Sequence, residues 1–362
     1  MKRRMRGRWL ALIFSLAVLT LLTSCGTGLP SASWFGIAAS DDAVYLAANE
    51  QVFAINPESG AEFWSFPPEP DREIGPFYAT PALTNGVVII GGFDGGGKLY
   101  AIAPNGGAQA WVLETGARIV AGVVSTHSGV IVGNGEGEVY LVDPETQEKR
   151  LLLKADEPIW TKPLVDETEG RLYVASMDHH LYAVDLERGE QLWAFKAGGA
   201  LAGTPALRDG VIYFGALNST FYAINAETAD ELWRVETEGW VWGGPLVDGD
   251  TIYFGDMDGK VYALDAADGS QRWTFEAEGG VRATPVLVDG QLYFGTRGGK
   301  FYAVRAEDGT QQWMLPLDGS VYSQPVVHGD FLLVSPHNAK VQLVALDLES
   351  GAERWSYPPR EE

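Results

Sequence analysis

The stretch VRATPVLVDGQLYFGTRGGKFYAVRAEDGTQQW, residues 281–313, contains four short runs rich in β-branched and aromatic residues. Asp-Gly and Gly-Gly pairs separate the runs, and these are residues that tight turns between antiparallel strands require. Each run has the length of a strand and is too short for an amphipathic helix. The stretch therefore predicts one four-stranded antiparallel unit that ends at Trp313.

The same unit recurs with a period of about forty residues, which the tryptophans mark. One member of the series is missing near residue 152, where Leu151-Leu152-Leu153 supplies apolar bulk instead. With that position included, the chain contains eight units between residues 34 and 357. The tryptophans of the series are Trp64, Trp111, Trp193, Trp233, Trp273, Trp313 and Trp355.

Eight four-stranded units predict an all-β fold, an eight-bladed β-propeller of four-stranded antiparallel blades over residues 34–357. Each blade of such a ring buries its faces only against its neighbours. We expect the recurring tryptophan to dock between blades from the outermost strand, with its indole N–H on a neighbouring backbone carbonyl. A helical solenoid is excluded, because no segment after Cys25 shows a 3.6-residue apolar period over ten or more residues.

The N-terminus has the features of a secretory leader. A basic segment precedes an apolar run from Trp9 to Leu22, which is too short to span a bilayer comfortably. The run ends in Leu22-Thr23-Ser24-Cys25, which resembles the bacterial lipobox. The resemblance implies a signal peptide over residues 1–24, lipidation of Cys25 and a lipid-anchored linker over residues 25–33. At the other end of the chain, we expect a C-terminal tail over residues 358–362 after the last repeat. The alternative is a short transmembrane helix with an incidental cysteine.

Charge and cysteine usage exclude several functions. The net charge is −22, and removal of residues 1–24 would delete five positive charges and no negative ones, giving −27. Such a chain is not expected to bind nucleic acid or to adhere electrostatically to anionic lipid. Cys25 is the only cysteine, so a mature domain would contain no disulfide, thiolate metal site or cysteine nucleophile.

The stretch YFGDMDGKVYALDAADGSQRW, residues 253–273, resembles the PQQ-type propeller repeat, and the resemblance covers nearly all of residues 34–357. This repeat occurs in quinoprotein alcohol dehydrogenases and in BamB-like lipoproteins of the outer-membrane β-barrel assembly machinery. It therefore implies the fold but leaves the function open. The dehydrogenases share a disulfide of adjacent cysteines, a catalytic Asp and Ca²⁺ ligands. Because the cysteine pair is absent here, we expect a non-enzymatic chain with no catalytic residue, metal or cofactor.

Three short motifs look like ligand sites but are interpreted as turns. The segment Gly92–Lys98 resembles a phosphate loop, yet Leu99 stands where Ser or Thr is required. Asp256-Met-Asp258 resembles the start of a calcium loop without its later ligands. The pair His179-His180 points in opposite directions along an extended chain. All three positions are expected to form hairpins.

One recurrent position is a candidate binding site. It lies three residues before the proline of the innermost strand, which lines the channel of a propeller. Two members, Trp34 and Val120, are aligned without a proline, on Ile37 and Val123. Five of its eight members are aromatic, and the predicted binding residues are Trp34, Tyr78, Trp160, Trp242, Arg282 and Tyr322, which we expect to meet at one mouth of the channel. The remaining members are Val120 and Ala202. The alternative is that this position packs against the neighbouring blade.

The sequence therefore predicts a non-enzymatic extracytoplasmic lipoprotein that serves as a protein-interaction scaffold, with BamB-like support of membrane-protein assembly. Its partners would be envelope or membrane proteins and no nucleic acid. The lipid on Cys25 would place it on the periplasmic face of the outer membrane in a diderm, or on the outer face of the cell membrane in a monoderm. The alternatives are a propeller that binds a quinone, aromatic or glycan ligand at the channel mouth, and a PQQ-dependent dehydrogenase.

Overall fold

The computed structural model describes residues 35–71, 73–74, 76–84 and 86–360. Every regular element within these residues is a β-strand. No helix among them is long and apolar enough to cross a membrane.

The described strands form eight antiparallel sheets of four strands, and each sheet is a consecutive stretch of the chain. Blades one and two consist of β1 (Gly36–Ala39), β2 (Val44–Ala48), β3 (Gln51–Ile55), β4 (Glu62–Phe66), β5 (Ala82–Thr84), β6 (Val87–Gly91), β7 (Lys98–Ile102) and β8 (Gln109–Glu114). Blades three and four consist of β9 (Val124–Thr126), β10 (Gly129–Gly133), β11 (Glu138–Val142), β12 (Lys149–Lys154), β13 (Leu164–Asp166), β14 (Arg171–Ala175), β15 (His180–Asp185) and β16 (Gln191–Lys196). Blades five and six consist of β17 (Ala206–Arg208), β18 (Val211–Ala216), β19 (Thr220–Asn225), β20 (Glu231–Glu236), β21 (Leu246–Asp248), β22 (Thr251–Gly255), β23 (Lys260–Asp265) and β24 (Gln271–Glu276).

The last two blades complete the ring. They consist of β25 (Val286–Val288), β26 (Gln291–Gly295), β27 (Lys300–Arg305), β28 (Gln311–Pro316), β30 (Val326–His328), β31 (Phe331–Val334), β33 (Leu343–Asp347) and β34 (Glu353–Tyr357). A small two-stranded sheet of β29 (Ser320–Val321) and β32 (Pro336–His337) accompanies the eighth blade. The prediction of an eight-bladed propeller with four-stranded antiparallel blades is confirmed.

The first strand of each blade lies at the inner end. First strands of neighbouring blades, such as β5 and β9 or β17 and β21, lie side by side, and the following strands step outward in sequence order. The second and third strands are almost fully buried, as in β22 and β23. The core is therefore divided between the interfaces of adjacent blades.

The tryptophans dock between blades, and five of the seven donate the predicted N–H···O bond, whereas the buried indole nitrogen of Trp313 has no hydrogen-bond partner among the described residues. The indole N–H of Trp273 donates to the backbone carbonyl of Ala306 in the next blade at 2.8 Å. Its ring also packs on Gly309, where an added Cβ would lie 2.7 Å from a ring carbon. Equivalent N–H···O bonds join Trp64 to Pro104, Trp193 to Ala226, Trp233 to Ala266 and Trp355 to Pro57.

The blade without a tryptophan contains the predicted apolar bulk, but the hydrogen bond to the next blade comes from Arg150, whose Nη2 donates to the carbonyl of Leu186 at 2.9 Å. Leu152 is 3 % exposed, and its side chain faces Gly189 of the following blade, the counterpart of Gly309. A branched aliphatic chain can fill part of the space that an indole occupies, but it cannot donate a hydrogen bond.

The ring closes by packing rather than by a shared strand. All four strands of blade one come from the N-terminal side and all four of blade eight from the C-terminal side. The indole N–H of Trp355 donates to the carbonyl of Pro57 at 2.8 Å, and Trp355 packs on Gly60. Ile37 and Phe331 lie in one buried cluster that spans the junction. The same device that joins successive blades thus joins the last blade to the first.

Candidate functional site

A short extended segment precedes the first strand of most blades and lines the central channel. Its side chains alternate between the blade interface and the channel, as extended chain requires. In blade seven, Val281, Ala283 and Pro285 are buried, whereas Arg282 and Thr284 are partly exposed. The candidate residues therefore lie just before the innermost strands and not within them, which corrects the expectation from the sequence.

Each candidate side chain is positioned by the buried residue before it. The N–H of Val281 donates to the carbonyl of Asp256 at 2.8 Å, and its side chain fills the space above Gly255, where an added Cβ would lie 2.4 Å away. Similar backbone bonds hold Phe77, Ile119, Ile159, Leu201, Val241 and Val321. In most blades a glycine leaves room for this buried side chain. Because successive side chains of an extended chain point to opposite sides, the next residue is directed into the channel.

The candidate residues meet in one cavity of about 240 Å³. Val120 and Ala202 line it as well, and each of these side chains is half-buried. We call this set the channel ring: Tyr78, Val120, Trp160, Ala202, Trp242, Arg282 and Tyr322. Trp34, the other predicted member, lies outside the described residues. The structure thus brings five of the six predicted binding residues together, and their part in recognition stays a prediction.

Arg282 is the centre of the channel ring. Its guanidinium carbon lies 4.3 Å from the centroid of the Trp242 ring and 5.3 Å from that of Tyr322. Both distances are within the range of cation–π attraction. Burial lowers the pKa of Arg282 to about 10, so the guanidinium keeps its charge at neutral pH.

A second set of residues lines the same cavity two positions further along each segment. We call it the donor tier, and its members are Thr80, Gly122, Lys162, Thr204, Gly244, Thr284 and Gln324. The hydroxyl, amide and ammonium groups in this tier can all donate hydrogen bonds. Thr80, Lys162 and Gln324 are exposed, so this tier is the more accessible of the two. Desolvation by the channel wall lowers the pKa of Lys162.

Sequence comparison assigns the repeat. The model of a family described as outer membrane protein assembly factor BamB matches residues 95–200, 166–239 and 231–362. The chain belongs to this BamB family. The resemblance to BamB-like propellers is thereby confirmed.

Solved structures similar to this BamB-family chain support the fold. The computationally designed Ika8 protein is 13% identical, over 86% of this chain and 96% of its own, with a TM-score of 0.74. BamB from Moraxella catarrhalis is 19% identical, over 83% of this chain and 90% of its own, with a TM-score of 0.66. At these identities the likeness concerns the fold alone. A search of curated proteins finds no match.

Sequence reasoning missed a buried histidine beside the channel ring of this BamB-family propeller. His337 is 3% exposed, and neither ring nitrogen has a hydrogen-bond partner within the described part of the chain. Its ring centroid lies 5.5 Å from that of Tyr322 and 5.2 Å from that of Phe35. Burial lowers the pKa of His337, and the charge of Arg282 lowers it further. His337 lies outside the regular repeat, so no periodicity in the sequence indicates it.

The motifs that resemble ligand loops form hairpins in this BamB-family chain. The carboxylate of Asp256 is buried and accepts hydrogen bonds from the N–H groups of Asp258, Gly259 and Lys260. Asp94 accepts such bonds from Gly96 and Lys98 in the loop between β6 and β7.

The histidine pair also lies at a hairpin, where His179 occupies a left-handed turn and His180 begins β15. No group of three or more potential metal ligands was found among the described residues.

Proposed function

We propose that this BamB-family chain is a non-enzymatic, lipid-anchored scaffold in the extracytoplasmic compartment that binds envelope or membrane proteins and supports membrane-protein assembly. Family membership supports the assembly role, since the family is described as an outer membrane protein assembly factor. A rigid ring of eight blades supports the scaffold role, because its loops and channel mouth are held in fixed positions.

The observation that carries the proposal is the composition of the channel ring. Tryptophan, tyrosine and arginine are enriched at binding hot spots, because they offer large rigid surface together with a polar group. Trp242, Arg282 and Tyr322 are half-buried and held together by cation–π contacts. Side chains that are already ordered lose little conformational entropy when a partner binds. The channel ring is therefore our proposed principal recognition surface.

The proposed anchor is the thioether-linked lipid on Cys25, a residue outside the described part of the structure. The strongly acidic chain would gain no electrostatic attraction from an anionic membrane, so the acyl chains would hold it there. Cys25→Ser is expected to leave an unprocessed precursor. Mass spectrometry of the N-terminus tests this, and normal maturation of the variant would rule out the lipid anchor.

A second candidate function is the binding of a small quinone, aromatic or glycan ligand. The observation that favours it is the aromatic lining of a cavity of about 240 Å³. A dehydrogenase is the weaker form of this alternative. We expect no dye reduction with alcohols or sugars when purified protein is supplied with PQQ and Ca²⁺, and reduction that depends on added PQQ would establish the enzyme instead.

Native complexes provide the direct test of the scaffold. The full chain, purified from detergent-solubilised membranes, should co-purify with barrel-assembly proteins. A matched preparation of Trp160→Ala/Trp242→Ala should lose them while the propeller stays folded. If the wild-type chain recovers no envelope protein under conditions that preserve other membrane complexes, the scaffold function is wrong.

A further inference from the structure

The cavity of the channel ring has a charge opposite to that of the chain. Lys162 and Arg282 line it, and no Asp or Glu is among the described residues of its wall. The chain as a whole has 48 acidic and 26 basic residues. A cationic cavity in an acidic protein concentrates positive potential where a low-dielectric wall focuses the field. The wall therefore attracts an anion into the channel, whereas the acidic remainder of the surface repels one.

The two cations lie in the wall of one cavity. Lys162 belongs to blade four and Arg282 to blade seven, so they approach the cavity from blades three apart in a ring of eight. Thr204 and Thr284 of the donor tier lie in the same wall and can donate hydrogen bonds. The Oγ of Ser323, also in the wall, is buried and has no hydrogen-bond partner among the residues that the structure describes. A group that accepts several hydrogen bonds suits this wall, and a carboxylate is such a group.

The size of the cavity limits which kind of molecule can place a carboxylate in it. Pockets that enclose a drug-sized ligand measure about 300–1,000 Å³. At about 240 Å³ this cavity is smaller, and three members of its donor tier are exposed at the same time. One side chain can enter while the chain that carries it remains outside.

We propose that the channel ring binds an aspartate or glutamate side chain on an extended segment of a partner protein, with Lys162 and Arg282 selecting the carboxylate. The aromatic rings of Trp160, Trp242 and Tyr322 would pack against apolar residues that flank the acidic one. The inference rests on the proposed scaffold function, because it names the chemistry of the partner that the channel ring recognises.

Two matched peptides test the charge requirement. Each is short, blocked at both ends and has two phenylalanines, with a glutamate between them in one and a glutamine in the other. Calorimetric titration of the full chain in detergent should show the glutamate peptide binding at least about tenfold more tightly, because removing one partner of a desolvated charge pair costs this much or more. Equal affinity of the two peptides, or binding of neither, would overturn the inference.

Variants assign the selection to the two cations. Arg282→Gln and Lys162→Gln should each reduce the preference for the glutamate peptide. Because Lys162 is exposed, Lys162→Gln should disturb folding less than Arg282→Gln. Arg305→Gln is the control, because Arg305 is an exposed arginine of the same blade as Arg282, pairs with Asp308 and does not line the cavity. A preference that persists in Lys162→Gln and Arg282→Gln, or falls equally in Arg305→Gln, contradicts the assignment.

The experiments also distinguish a site for a small acid from a site for a peptide. They further distinguish failure of this inference from failure of the scaffold function. If phenylacetate binds as tightly as the glutamate peptide and competes with it, the cavity is a site for free organic acids and the inference is wrong. If Lys162→Gln/Arg282→Gln still recovers the native partners, the inference fails and the scaffold stands. If the chain binds the glutamate peptide more tightly than the glutamine peptide but never recovers an envelope protein, the scaffold function is wrong instead.

Discussion

Arg282 stacks on Trp242, with its guanidinium carbon 4.3 Å from the ring centroid, and on its other flank it lies 5.3 Å from the ring of Tyr322. The three residues belong to the segments that precede blades six, seven and eight. A cation between two aromatic rings is attracted to both π-faces. The contact therefore links three consecutive blades at the channel and fixes the orientation of the proposed recognition surface.

The channel ring should contribute more to affinity than to stability. Trp160→Ala combined with Trp242→Ala is expected to cost about 2 kcal/mol or more of binding free energy for a native partner, as hot-spot anchors do. Both side chains are only half-buried, so the free energy of unfolding should fall by less than the loss of a tryptophan between blades causes. Partner titration and urea denaturation of the same variant measure the two effects.

A tryptophan between blades provides the opposite control. Trp233 donates its indole N–H to the carbonyl of Ala266 and packs on Gly269 of the next blade. Trp233→Ala should lower stability while partner affinity per folded molecule is unchanged. If the channel-ring variant instead loses stability like Trp233→Ala, the channel ring only packs.

Trp273 should be among the most costly side chains to remove. It is 9% exposed and donates to the carbonyl of Ala306 at 2.8 Å. Trp273→Ala is expected to lower the free energy of unfolding by about 3–5 kcal/mol, through lost burial and the cavity that remains. Trp273→Phe keeps most of the packing and should cost less. Urea denaturation measures both, and a loss below about 1 kcal/mol for the alanine variant would contradict the docking role.

Ala229 occupies a position where most blades have glycine. Its φ is +62°, in the left-handed region, and the counterparts Gly269 and Gly309 have φ of +74° and +72°. A side chain in this region costs about 1–2 kcal/mol, which glycine avoids at some cost in backbone entropy. Ala229→Gly should therefore raise stability by about 0.5 kcal/mol.

The reverse substitution supplies the control for Ala229→Gly. Gly269→Ala would place a Cβ 2.7 Å from the ring of Trp233, so it should lower stability. Thermal melts of the two variants should shift in opposite directions. If Ala229→Gly is less stable than the wild type, the packing of the alanine methyl stabilises the protein by more than the backbone strain at this position costs.

The eight blades could be predicted because each repeat contains its own local signals. Asp-Gly and Gly-Gly turns fix the hairpins, and the tryptophan at the end of most units packs on a glycine of the next unit. The substitution of Leu152 for a tryptophan was also predictable, because an interface between blades needs apolar bulk at that point. These features depend on neighbours one repeat away, so a periodic sequence reveals them.

The candidate site was predictable in position but not in detail. Alternation along the chain places Trp160 and Arg282 on the channel side, yet it does not show that Arg282 stacks on Trp242 or that no carboxylate lines the described wall. Lys162 was missed, because its position carries glycine or threonine in most blades and shows no aromatic pattern. Contacts across a ring depend on the rotation between blades, which a local pattern does not contain.

His337 should make the stability of the propeller depend on pH. The ring is buried, both nitrogens lack hydrogen-bond partners among the described residues, and the charge of Arg282 opposes protonation. Burial therefore lowers the pKa of His337 in the folded state. In the unfolded chain the group has its ordinary pKa of about 6.5. As the pH falls below that value, the unfolded state gains the proton first, so the folded state loses stability.

The loss should begin near pH 6.5 and continue until the pH reaches the lowered pKa of the folded protein. Urea midpoints of the wild-type chain, measured at steps between about pH 7.5 and 5, should decline across this window. His337→Leu removes the titrating group and should flatten the decline, whereas His127→Gln, at an exposed histidine paired with Glu167, should not. Carboxylates do not account for the difference between these variants, since both retain every Asp and Glu. If His337→Leu shows the same decline as the wild type, protonation of the buried ring is not its cause.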